Sequence, residues 1–183
     1  TVTKACDPAS RHRGSASGLL HFSEHRGQKA PLMPLDISNT PVSLHTQAAL
    51  RDWNDMTLAF LAHGTATPQH LGAVMAAQPD FAMGHAAKGL FSLMRGRREL
   101  VAVDARGDAA RSVAATDRER AWVKALREWI NGYPAQAADT LETVLQTYPQ
   151  DTLTAKVIHA IRFILGDQLG MRASLERVLA AHD

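Results

Sequence analysis

The chain has 183 residues, 45% of them hydrophobic but only 5% aromatic, and 20 basic against 18 acidic side chains give a formal net charge of +2. That length supports one sizeable core, and a composition rich in Ala and Leu favours closely packed helices over a β-sandwich. Residues 1–33 hold five basic and two acidic residues; the remainder is therefore almost neutral, which argues against nucleic-acid backbone binding as its main task.

Cys6 is the only cysteine, so neither an intrachain disulfide nor a thiolate metal cluster can form. No apolar run approaches the roughly 20 residues needed to span a bilayer. Leu19–Phe22 is too short for the apolar part of a secretory signal, and a cytoplasmic address rests on that missing signal alone.

Residues 1–43 lack sustained periodicity and scatter Gly, Ser, Pro and His, which predicts an irregular or disordered extension. Two readings of its first part stay open. Acid-poor, Arg- and Ser-containing sequence faintly suggests an organelle transit peptide. Met33-Pro34-Leu35-Asp36 reads better as a start, leaving 1–32 as a non-native or upstream extension.

A helical repeat domain is expected over 44–183. Helical patterning begins near Leu44, with Ala49, Trp53, Met56 and Phe60 on one face and His63-Gly64 at the end. Thr67-Pro68 opens a short helix to about Gln78. The next runs from a cap at Asp80, after Pro79, to Arg95, and its partner occupies about 98–114 despite Gly107. Thr116 or Asp117 caps a helix faced by Trp122, Ala125, Leu126 and Trp129. Pro134 opens another, faced by Ala137, Leu141, Val144, Leu145 and Tyr148, and Pro149 ends it. Asp151 caps a helix faced by Leu153, Val157, Ile161 and Ile164; the last helix covers about 168–181. Nothing alternates with strand period, so the fold class is all-α. The final helix still carries Val178 and Leu179 and then stops, as an array would if truncated or completed by another chain.

A longer beat overlies these helices. Gly96, Gly132 and Gly166 stand 36 and 34 residues apart, and Pro79 and Pro149 each precede one of them by 17. A period near 34 with helical spacing inside it predicts an α-solenoid of antiparallel helix pairs. Gly132, Ala137 and Pro149 match the tetratricopeptide repeat pattern of turn glycine, small residue and proline, and Gly166 and Pro79 stand in its expected places. Val113 replaces the proline expected after Gly96. The chain therefore resembles a tetratricopeptide repeat protein. The segment from Ala76 to His85, with Ile164-Leu165-Gly166-Asp167 and Met171-Arg172-Ala173-Ser174, resembles more narrowly the tetratricopeptide repeat protein 38 family over residues 46–183, as its N-terminal portion. That family implies a scaffold and carries no activity over.

Motifs for chemistry are lacking: there is no HExxH, CxxC, GxSxG or phosphate-binding glycine loop. Gly14–Gly18 reads as flexible linker, and Arg106-Gly107-Asp108 as chance. His85 and His159 sit in apolar helices, where a histidine satisfied by a neighbouring group is the favoured explanation. No catalytic residue, metal or cofactor is expected.

What the resemblance implies is a surface. Helix A positions of such arrays line a concave groove, here contributed by Leu93, then Glu119, Trp122 and Trp129, then Lys156 and Phe163. The Lys/Asn/Arg set that clamps a terminal carboxylate is absent. The expected groove is apolar, with Trp122, Trp129 and Phe163 as anchors and Glu119 or Lys156 setting orientation. An equally weighted account makes these side chains ordinary core. The first functional expectation is a non-enzymatic scaffold binding a protein segment or its own later helices, with self-association through the open C-terminal repeat as a further option. The alternative is an enzyme or metabolite-binding domain with a groove site near His85 and His159.

Overall fold

A computed structural model describes residues 33–97 and 114–181. Among these the protein is all-α, with seven α-helices: α1 (Gln47–Leu61), α2 (Thr67–Ala77), α3 (Ala82–Met94), α4 (Asp117–Ile130), α5 (Pro134–Thr147), α6 (Thr152–Leu165) and α7 (Gln168–Val178). A 3-10 turn, Leu179–Ala181, follows α7. The only extended pairing among the described residues is a single bridge between Leu35 and Pro41. No helix among them is long and apolar enough to cross a membrane. The helix expected over 98–114, the Val113 position, Cys6 and the Arg106-Gly107-Asp108 tripeptide lie outside the described residues, apart from Ala114.

Local chemistry accounts for most boundaries. Thr46 caps α1 by accepting a hydrogen bond from the Ala49 amide. Thr116 and Glu119 form a reciprocal capping box on α4, satisfying two backbone donors that a helix start leaves open. Asp151 and Asp167 cap α6 and α7 by accepting from the Thr154 and Gly170 amides. The expected Asp80 cap is displaced by one residue. Phe81 takes the extended cap conformation without a side-chain bond, because its ring is buried edge-on against Trp53, 5.2 Å between centroids.

The three periodic glycines end their helices in one way. Gly96, Gly132 and Gly166 take φ of +70°, +94° and +71°. Each glycine amide bonds to the carbonyl three residues back (Leu93, Trp129, Phe163), and the next amide bonds five back (Ser92, Glu128, Arg162). This paired closure satisfies carbonyls that a helix end leaves open, at a φ that other residues adopt only at a cost.

Packing joins α1 to α2, α2 to α3, α3 to α4, α4 to α5, α5 to α6 and α6 to α7. The helix α6 also reaches α1 and α3, so contacts are not confined to chain neighbours. One hydrophobic core runs through all seven helices' apolar faces, with Trp53, Phe81, Leu90, Trp122, Leu126, Leu141 and Ile158 fully inside it. Residues 33–46 form no helix, so the first helix starts three residues after the expected Leu44, yet they belong to this core: Val42 and Leu44 are buried among its members. All these elements lie in one compact unit, Leu32–Asp183; the other unit, Thr1–Pro31, lies outside the described residues.

Candidate functional site

Three of the six expected groove residues, Leu93, Glu119 and Trp122, are interior. Leu93 is buried, and Trp122 is 0% exposed with its indole N–H donating to Thr154 Oγ1 at 2.9 Å. Glu119, expected to set a ligand's orientation, is likewise 0% exposed and accepts from the Ser43 amide at 2.9 Å and the Ala115 amide at 2.8 Å. Trp129 is half-buried and packed on the core. Residues 33–46 run over the start of α4, and α1 packs with α6, so side chains counted as open to a partner are covered by this chain itself. Of the expected anchors only Phe163 is well exposed, at 75%, while Lys156 is half-buried.

Beneath the covering segment lies an ion network absent from the sequence reading. Arg118 Nε and Nη2 donate to the two Asp151 oxygens at 2.7 and 2.8 Å, and Nη1 donates to Asp36 Oδ2 at 2.5 Å. The Trp53 indole also donates to Asp36, and Thr154 Oγ1 donates to Asp151. Burial alone would lower the Arg118 pKa; the adjoining Asp151 and Asp36 carboxylates outweigh it and raise the value. Every charged member has partners, so this is a pin holding residues 33–46, α1, α4 and α6 together. The sequence signal was thin, since Asp36 and Arg118 lie 82 residues apart.

The two histidines occupy different places. His85 Nε2 lies 2.7 Å from the Pro79 carbonyl oxygen. His159 Nε2 is buried without a hydrogen-bond partner. Burial lowers the His159 pKa, with Arg162 adding to the effect and Glu142 opposing it. Nearby, Arg162 bridges Glu142 (3.2 Å) and Asp167 (2.5 Å), and Arg177 reaches Glu142 at 2.7 Å, tying α5, α6 and α7 together.

A cavity of about 1030 Å³ opens between the α1–α2 turn, α2, α3 and α6. Phe60, Leu71, Met75, Phe91 and Met94 give it an apolar wall, with His63, His85, Lys88, Arg95 and Lys156 among its polar lining. Phe60 and Phe91 stack at 4.2 Å between centroids, 14° from parallel. Lys156 Nζ donates to the Leu61 carbonyl and to His63 Nε2, both at 2.9 Å, and lies 5.8 Å from the Phe60 ring centre. The cavity thus unites His85 with Lys156, whereas His159 is not among its described lining residues. His63 was read only as a helix end; its left-handed φ of +56° was not visible in sequence.

No family model matches the chain, and no solved structure matches it.

Two further surface features complete the inventory. Asp52 and Asp55 on α1 and His70 on α2 bring ligand atoms within 4.8 Å of one another, with His70 Nδ1 already 3.1 Å from Asp52. At the other end, six of the eleven exposed large apolar residues among the described ones fall between 163 and 179: Phe163, Ile164, Leu165, Leu169, Leu175 and Leu179. Leu169 is 82% exposed. Single exposed apolar side chains are ordinary, whereas six within 17 residues are a concentration.

Proposed function

We propose that the protein is a non-enzymatic, tetratricopeptide-like helical scaffold that binds a protein partner through apolar residues at the end of α6 and on α7. The observation that carries this reading is the concentration of Phe163, Ile164, Leu165, Leu169 and Leu175 in exposed positions there. Phe163 and Leu169 supply large apolar area whose burial stabilises an interface at about 25 cal/mol per Å² before the costs of association. Charged side chains beside them, Arg162, Arg172 and Arg177, provide a polar surround.

Support for a stacked-pair solenoid of tetratricopeptide type comes from the three identical glycine closures, 36 and 34 residues apart. The consecutive packing of α4 on α5, α5 on α6 and α6 on α7 agrees with it. Kinship with the tetratricopeptide repeat protein 38 family belongs to the same proposal, as does a cytoplasmic location. Relative to the groove expected from sequence, the contact face moves from Trp122 and Trp129 to Phe163 and its neighbours.

The test is a double variant, Phe163→Ser with Leu169→Ser, compared with wild type in co-purification from cells that make the protein. Both residues are exposed, so helix content should be unchanged. A partner retained by wild type and lost by the double variant is expected; a partner held equally by both would place the contact elsewhere.

A further inference from the structure

We propose that the cavity between α1, α2, α3 and α6 binds a small carboxylate with an apolar body, its anionic head against Lys156. This site is independent of the α6–α7 contact face and includes neither Phe163 nor Leu169.

The argument begins with Lys156. The residue is half-buried, and its ammonium makes two hydrogen bonds, to the Leu61 carbonyl and to His63 Nε2, both at 2.9 Å. An ammonium carries three N–H donors, so one is left. It forms no ion pair with any described carboxylate. Arg118 and Arg162 show the contrast: each meets two or more carboxylates at 3.4 Å or less. An ammonium on the cavity wall with a donor unused and no counter-ion offers an incoming anion a charge-assisted hydrogen bond.

His63 strengthens the same corner. Its Nε2 accepts from the lysine, so Nδ1 carries the ring proton in the neutral form and is a second donor on a cavity-lining residue. The backbone holds it at φ +56°, outside the range most side chains prefer. Among the described lining residues Arg95 and Lys156 are cationic and none is Asp or Glu. Such a lining attracts anions and disfavours cations.

The remaining wall selects the body of the ligand. Stacked Phe60 and Phe91 with Leu71, Met75 and Met94 offer aromatic and pliable aliphatic surface. A volume of about 1030 Å³ is at the upper end for a small-molecule pocket, ample for a medium-length chain. A neutral apolar ligand would fill the same space but leave the ammonium unpaired. A polyphosphate would leave the aromatic wall unused.

The full chain would be titrated calorimetrically with decanoate and, separately, with decanol, both below their aggregation limits. Decanoate should bind one-to-one and at least about tenfold more tightly than decanol, the scale of one hydrogen bond to a charged group. Lys156→Met should bring decanoate down to the decanol level, and Lys156→Arg should keep most of the difference. Because Lys156 also holds the end of α1, a second variant guards against loss of fold. Gly72 lines the cavity on α2, and a Cβ there meets nothing within 4 Å. Gly72→Leu should therefore fill the space, keep or raise helix stability, and abolish binding of both probes. Equal affinity for decanoate and decanol, undiminished decanoate binding in Lys156→Met or Gly72→Leu, or no decanoate binding at all would overturn the proposal.

Discussion

Arg118 shows how one buried cation can organise a fold. It satisfies Asp36 from the N-terminal segment and Asp151 at the start of α6, with all three side chains nearly or fully out of water. Arg118→Met would leave two carboxylates without their counter-charge, so a loss of about 3–5 kcal/mol is expected in denaturant unfolding. A loss under about 1 kcal/mol, typical of an exposed pair, would mean the network is wet. His159 supplies a pH signature. Its folded pKa lies below the ordinary 6.5, chiefly through burial. As pH falls through that value the unfolded chain takes up a proton that the folded chain refuses, so stability is complete above it and declines below. His159→Gln should flatten this decline, seen as a smaller difference in Tm between about pH 7.5 and 5.5; an unchanged difference would assign the effect to another group. Neither Asp36 nor Arg118 stood out in the sequence. Their meaning depends on a contact across 82 residues, and periodicity reports only neighbours a few residues away.

At the scale of elements the sequence was far more legible, because caps and turns are local. Thr116, Asp151, Pro134 and the three glycines stand where their helices start or stop. Asp80 failed as a cap because burial of Phe81 against Trp53, a tertiary contact, moved the helix start. The glycine closures also make a sharp prediction. Gly166→Ala puts a Cβ on a residue at φ +71°, with open space around it. Conformational cost alone should therefore act, destabilising by about 1–2 kcal/mol. A neutral result in thermal unfolding would show that the turn relaxes to negative φ and that the repeated closure has no energetic weight.

For the whole molecule, the difference between expected and observed site comes from what covers what. Counting helix A positions assumes an open face, and that assumption held for Phe163 but not for Trp122 or Glu119. Residues up to 43 looked irregular in sequence, yet Ser43 bonds Glu119, Gln78 bonds the Ser43 carbonyl, and Val42 and Leu44 enter the core. With Glu119 covered by residues 33–46 and α1 packed on α6, exposed apolar area concentrates at α6 and α7. The cavity by Lys156 needed residues from four helices and a turn, a combination no single window of sequence displays. The central claim is that α7 and the end of α6 meet another protein. Its most direct measurement is photo-crosslinking in cells that make the protein, comparing Leu169→p-benzoylphenylalanine with the same substitution at Gln146, an exposed position on α5. A defined crosslinked protein from position 169 and none from 146 is the expected result. Equal crosslinking from both positions, or none from 169, would contradict the account.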